Sequence, residues 1–251
     1  MEILGNVVRK TGASSILTVE VAKTSRAFEI GRNTGLFSVP KVIRFDAGVG
    51  ALEFERLNGL VTLLDLAVRK DERLPGLLEK TGQALAAVHE KLVLPEEMKR
   101  EMPPEWMGSC DENVFIHGDF ACINVCFHES SGELVIVDWS AAPAVGRTPT
   151  FGSRYFDILL FISSLFHGAP WAAVLSWDAA GMARTFLRGY CRAAPQVELG
   201  KLKHYASTIC RLQRKNVFQP ARQRRPLRAV GYISCQTLMH ARLRLFLHRY
   251  N

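Results

Sequence analysis

The chain has 251 residues, 48% of them hydrophobic and 22% charged, with a formal net charge of +8 at neutral pH. That balance fits a soluble globular protein with one substantial core or two modest ones, and six cysteines without a CxxC pair exclude a disulfide scaffold. The longest apolar run, Ile158 to Phe166, is too short to span a bilayer, and MEILGNVVRK lacks a signal-peptide core, so an intracellular, cytoplasmic protein is expected.

From Asn6 to Glu55 the pattern predicts mostly strands: NVVRK, a TGASS turn, ILTVEVAK, a helical SRAFEIGRNTGLF, and two short runs, KVIRF and ALEFERL. GVG at 48–50 lacks the third glycine and following helix of a nucleotide-binding loop and reads as a hairpin turn. No G-x4-G-K-[ST] is present, which removes a P-loop enzyme. After Asn58-Gly59 helices dominate, most clearly where Leu78, Thr81, Leu85, Val88 and Leu92 share one face. A strand pair, NVCFH and ELVIVDW around the turn ESSG, interrupts them, and ILLFISSLF reads as a buried core helix. Near the end, Met239, Leu243 and Phe246 at i, i+4 and i+7 predict a helix packed on the core. The expected architecture is α+β and two-lobed: a small β-rich N-lobe with one helix over residues 1–58, and a larger helical C-lobe over 59–251.

The polar residues that stand out lie in IHGDFACIN and VIVDW. Asp119 and Asn124 are five apart just ahead of an apolar strand, and Asp138 ends the next strand, so one hairpin brings the three together. Hard oxygen ligands of this kind suit Mg²⁺, which keeps several waters and takes its remaining ligands from substrate phosphates. H-x-D-x4-N followed by a strand ending in Asp is the layout of phosphoryl transfer, in which one Asp orients the attacking hydroxyl while Asn and a second Asp hold metal. Upstream, Lys23 at the end of a β-like run and Glu29 six residues later read as the lysine–glutamate pair that steadies nucleotide phosphates.

IHGDFACINVCF with VIVDW resembles the aminoglycoside phosphotransferase and choline kinase group, relatives of protein kinases with the pattern H-G-D-x4-N and then I-D-W. LEFERLNG resembles that group's hinge strand, GQALAAVHEK a helix ending in its leucine–histidine-like pair, and SRYFDILLFISSLF the aspartate-bearing helix after the metal-binding Asp. The resemblance runs from about Ala22 to Phe166. It implies a protein-kinase-like fold and an ATP- and Mg²⁺-dependent phosphotransferase, with GTP as a possible substitute. Asp119 would orient and deprotonate the acceptor hydroxyl, Asn124 and Asp138 would bind Mg²⁺, and Lys23, paired with Glu29, would hold the α and β phosphates. The adenine would sit against Glu55 to Leu57, and Asp157 would brace the catalytic loop. Such an N-lobe brings several strands and a phosphate-covering loop before the lysine. Here only 22 residues precede Lys23, so Gly5 or the Gly12–Ser15 turn would form a short lid. SAAPAVGRTPTFGSR reads as a long loop that shapes the acceptor pocket or covers the core.

Two rival readings use the same chain. His117, Cys122, Cys126 and His128 lie within twelve residues, but their spacing fits no common zinc site. A pseudokinase would keep the lobes and use its basic surface to hold an anionic partner. Residues 211–251 hold ten Lys plus Arg and no Asp or Glu, which marks either a solvated helical face or a surface for an anionic ligand or membrane, centred on Arg224-Arg225. Nucleic acid is the lesser reading of that segment. So basic a C-lobe would repel polycationic aminoglycosides, which favours a neutral or anionic metabolite, sugar or lipid-linked saccharide as the small-molecule hydroxyl acceptor.

Overall fold

The computed structural model describes residues 1–107, 112–140, 145, 148–198, 200–206, 210 and 226–249. Strands β1 (Glu2–Leu4) and β2 (Val7–Thr11) form a hairpin around Gly5, followed by helix α1 (Ser14–Thr34) and strands β3 (Val42–Asp46) and β4 (Ala51–Glu55). The four strands make one antiparallel sheet in the order β1-β2-β4-β3, with α1 packed against β3 and β4.

The strand expected over ILTVEVAK is instead the first half of α1. Its buried positions, Leu17, Glu20, Lys23, Thr24, Ala27 and Ile30, recur every three or four residues as a helix requires. Three of them are polar, so a count of apolar residues alone does not reveal the period. Gly35, left-handed at φ 66°, closes the helix by donating to the Gly31 carbonyl.

Below the sheet lie β5 (Leu60–Thr62), α2 (Leu63–Arg69), α3 (Leu74–Lys91), the short α4 (Pro104–Met107), β6 (Asn113–Phe115), β7 (Val125–His128) and β8 (Glu133–Ile136). The chain continues with β9 (Phe151–Ser153), α5 (Arg154–His167), α6 (Ala179–Ala193), a helical α7 over 200–206, and α8 (Pro226–Arg249). Strands β7 and β8 form the hairpin expected around ESSG, and β5 adds to it in the order β5-β7-β8. Ser38, ahead of β3, bridges to Val135 and so ties the upper sheet's connection to this lower one.

The helical core is built on α3, α5 and α6. Leu78, Thr81, Leu85 and Val88 are buried along α3, as is Leu92 just past its end, and the run Ile158 to Phe166 is almost wholly buried in α5. Each Leu or Phe enclosed in this way contributes about 2 kcal/mol. Helices α3 and α6 approach most closely through glycine on both sides. A Cβ on Gly82 would collide with the Phe186 carbonyl and the Tyr190 nitrogen, and one on Gly189 with the Glu79 carbonyl. Met239, Leu243 and Phe246 pack α8 onto this core as their spacing predicts. The basic run 211–225, with Arg224-Arg225, and parts of the loop from 141 to 147 lie outside the described residues.

Candidate active site

The stretch Ile116–Asn124 joins β6 to β7 and is held from behind by the first turn of α5. Asp157, fully buried, accepts from the backbone N–H of His117 at 2.7 Å and of Gly118 at 2.9 Å. Gly118 has φ 88°, a left-handed conformation that a side chain would strain. His89 on α3 donates through Nε2 to the same carboxylate at 3.1 Å and meets the Tyr190 hydroxyl of α6 at 2.9 Å. Burial keeps His89 neutral. Burial also works against the charge on Asp157, but His89 and the loop amides outweigh it and hold the carboxyl below its usual range. Three helices thus converge on one carboxylate that fixes the loop.

Within the loop, Asn124 Nδ2 donates to the Asp119 carbonyl at 2.9 Å and to the Asp119 carboxylate at 3.1 Å. Burial pushes the Asp119 carboxyl up to about 6, Asp138 adds to the rise, and the Asn124 amide opposes it. A carboxylate so placed is matched to accepting a proton near neutral pH. Val137 N–H donates to the Asn124 carbonyl at 2.9 Å, which sets Asn124 beside the end of β8. Asp138 follows in the left-handed region at φ 57°, a conformation costing about 1 kcal/mol that turns its side chain back toward the upper sheet. There Asp138 Oδ1 accepts from the Lys10 ammonium at 2.9 Å and the Ser140 hydroxyl at 2.6 Å. Burial alone would raise the Asp138 carboxyl, but Ser140 and Lys10 hold it below its usual value.

Lys10, on β2, also bonds Glu20 Oε1 of α1 at 2.8 Å, so a strand lysine is clamped between a helix carboxylate and Asp138. Burial disfavours its charge, yet Glu20 and then Asp138 keep the ammonium protonated well into the alkaline range. This pair replaces the one expected from the sequence. Lys23 and Glu29 lie on the same helix, where a separation of six residues turns their side chains roughly 120° apart. Glu29 is exposed and pairs with Arg26. Lys23 is buried and donates to the carbonyl of His117. Burial lowers the Lys23 pKa to about 8 against the pull of Asp157, Glu20, Asp119 and Asp138. The signal for Lys10 and Glu20 was present: a lysine near the end of the strand NVVRK, and a glutamate in register with Leu17, Thr24 and Ala27 on a helical face.

A cleft of about 290 Å³ opens between the lobes, with Lys10, Glu20, Asn124 and Asp138 at its polar end. Its remaining wall is apolar, from Val8, Val39, Phe54, Leu60 and Val137, and Glu55 and Leu57 line it as well. Lys41 takes both the Glu55 N–H and the Glu55 carboxylate, at 2.9 and 2.8 Å. Glu20 Oε2 and Thr24 Oγ1, both on the cleft wall, are buried without a hydrogen-bond partner among the described residues. Neither lid candidate lines the cleft: Gly5 turns between β1 and β2, and Gly12 donates to the Gly50 carbonyl at 3.1 Å. Among the described residues no cluster of His, Cys, Asp and Glu side chains could hold a metal by itself, so a cation here would rest on the Asp138 carboxylate and the side-chain Oδ1 of Asn124.

A small antiparallel sheet with one helix, set over a helical lobe and joined to it at a polar cleft, defines a protein-kinase-like fold. Among solved structures the chain is similar to a choline/ethanolamine kinase family protein from Mesorhizobium loti, with a TM-score of 0.58 and 14% identity over 96% of this chain and 87% of that one. It is similar to a glucosamine kinase, with a TM-score of 0.62 and 14% identity over 96% and 74% of the two chains. An aminoglycoside-3'-phosphotransferase of type VIII matches with a TM-score of 0.53 and 18% identity over 80% and 83%. No family model and no curated protein matches the sequence.

Proposed function

We propose that this protein is a small-molecule kinase that transfers the γ-phosphoryl group of ATP to a hydroxyl acceptor. The observation that carries the reading is Lys10 bonded to both Glu20 and Asp138 beside the Asp119–Asn124 pair, at the polar end of an apolar cleft. A glucosamine kinase of the same fold has been solved with glucosamine, ADP and inorganic phosphate, which supports a nucleotide in the cleft.

Lys10 would face the nucleotide phosphates, and the buried, unpartnered Glu20 Oε2 and Thr24 Oγ1 offer polar capacity on the same wall. The apolar slot suits a purine. With the Glu55 N–H taken by Lys41, base recognition falls to the Glu55 carbonyl and to the backbone of Leu57. Asn124 and Asp138 are hard oxygen donors that fit Mg²⁺, which when bound would neutralise phosphate charge. Asp119 accepts the acceptor's hydroxyl proton as that oxygen bonds to the γ phosphorus and the bond to ADP breaks, leaving a phosphate ester and ADP. The formal net charge of +8 favours a neutral or anionic acceptor over a polycationic aminoglycoside.

The test is a thermal melt with ATP and Mg²⁺ on the natural chain and on Asp138→Ala, followed by ADP release against a panel of hydroxyl compounds. A ligand at a hundred times its Kd stabilises by about 2.7 kcal/mol, a shift easily read. Metal-dependent stabilisation lost in the variant, with ADP release on at least one acceptor, is expected. No stabilisation at millimolar nucleotide and no release across the panel would sink the proposal.

A further inference from the structure

At the end of α5 remote from Asp157, helices α5, α6 and α8 enclose a second recess of about 200 Å³. Its rim carries Arg184, Arg242, Arg249 and the exposed Leu245, and its floor is Phe166 and Phe246. Nine residues separate Asp157 from Phe166 along α5, roughly 14 Å, so this recess is distinct from the catalytic cleft.

Arg242 is fixed in place. Its two terminal nitrogens donate to the carbonyls of Val174 and Trp177, both at 2.9 Å, which pins the 171–177 segment against α8. That uses two of five N–H donors and leaves three on a guanidinium whose orientation is already set. The Arg184 guanidinium lies 5.8 Å from the centre of the Phe246 ring. No acid lies on α6 or α8, and Asp178, just ahead of α6, is spent on capping that helix through Gly181 N–H at 2.9 Å. Among the described residues no carboxylate is paired with these three arginines.

The segment that Arg242 pins carries Trp171 and Leu175, which are 63% and 85% exposed. Leu245 and Leu238, on the outer side of α8, are exposed as well. Exposed Trp and Leu beside uncompensated arginines are what a protein lying on an anionic bilayer presents: apolar tips for the acyl boundary and cations for the phosphates. A soluble polyanion would use the arginines but gain nothing from an exposed Trp and Leu. No helix among the described residues is long and apolar enough to cross a membrane, so the contact is peripheral.

We infer that this end of the C-lobe docks on an anionic phospholipid surface, with a lipid phosphate in the Arg184–Arg242–Arg249 recess and Trp171 and Leu175 in the headgroup region. The reading is independent of the phosphoryl-transfer proposal. It is tested by co-sedimentation of the full chain with phosphatidylglycerol–phosphatidylcholine vesicles and with phosphatidylcholine alone. The variants are Arg184→Gln with Arg249→Gln, and Trp171→Ser with Leu175→Ser. All four side chains are exposed, so unchanged melting temperatures will show that the variants are folded. Partitioning onto the anionic vesicles only is expected, falling roughly 30-fold in the arginine pair and measurably in the Trp–Leu pair. Equal binding to both vesicles, or partitioning unchanged in both variants, would overturn the inference and in the second case place binding on the basic run 211–225. Protection by inorganic phosphate without vesicle binding would overturn it in favour of a soluble phosphate ligand.

Discussion

The Lys23 ammonium, on α1, donates to the His117 carbonyl oxygen in the loop that carries Asp119, and does so from a position 1% exposed. One buried cation therefore joins the helix that bears Glu20 to the loop that bears the candidate base. Burying it is costly. Its pKa falls from 10.5 to about 8, so below pH 8 both folded and unfolded chains carry the proton and the folded state bears the full penalty. Between about pH 8 and 10.5 the unfolded chain binds more protons, and this group's contribution to stability rises.

Lys23→Met keeps most of the volume and removes the charge, so it should leave stability at pH 7.5 unchanged or raise it, by up to about 3 kcal/mol, while kcat falls at least tenfold. Urea unfolding at pH 7.5 and 9.5 checks this: the natural chain should gain stability relative to the variant at the higher pH. A variant that loses stability and activity in parallel would make Lys23 a packing residue only.

The lysine–carboxylate clamp can be separated from the pair suggested by the sequence. Glu20→Gln and Lys10→Met should each lower kcat/KM for ATP by roughly a hundredfold, and the double variant should be little worse than either, since both act through one interaction. Glu29→Gln, at a residue that pairs with Arg26 at the surface, should stay within twofold. Steady-state kinetics on the four proteins decides the matter.

If Asp119 is the base, it must be ionised. With its carboxyl at about 6 in the free protein, kcat/KM should fall tenfold per pH unit below about pH 6 and level off above it. Asp119→Asn should abolish turnover while keeping nucleotide-dependent thermal stabilisation. An acid limb centred near pH 4 would show that the group is not shielded as the structure has it.

Asp157→Ala should lower stability by about 3 kcal/mol or more, because the amides of His117 and Gly118 and the ring of His89 would lose their common acceptor inside the core. Denaturant midpoints compared with those of His89→Gln will apportion the loss between the loop and the histidine.

Local pattern made much of this legible. Asp119, Asn124 and Asp138 flank one hairpin, and the turn residues Ser130 to Gly132 and the apolar strands on either side announce it. The face of α3 could be read because Leu78, Leu85, Val88 and Leu92 outweigh its two buried polar residues, Thr81 and His89. Helix α1 could not, since Glu20, Lys23 and Thr24 occupy its inner face and ILTV alternates like a strand. Lys23 follows that apparent strand and so reads as the clamp lysine, whereas Lys10, thirteen residues earlier, is the lysine the sheet carries to the cleft. The convergence of His89, Asp157 and Tyr190 joins three helices far apart in the chain, and no local spacing encodes it.

The Lys10–Asp138 ion pair has a thermodynamic consequence. It joins the residue proposed to face phosphate with a residue proposed to face metal, so each ligand must draw one member away from the other. Nucleotide alone leaves Asp138 short of a counter-charge, and metal alone leaves Lys10 with Glu20 as the one carboxylate still bonded to it. Only the two together exchange a pair of charges for another pair, which makes their binding mutually reinforcing: the affinity for each should rise by the same factor when the other is present.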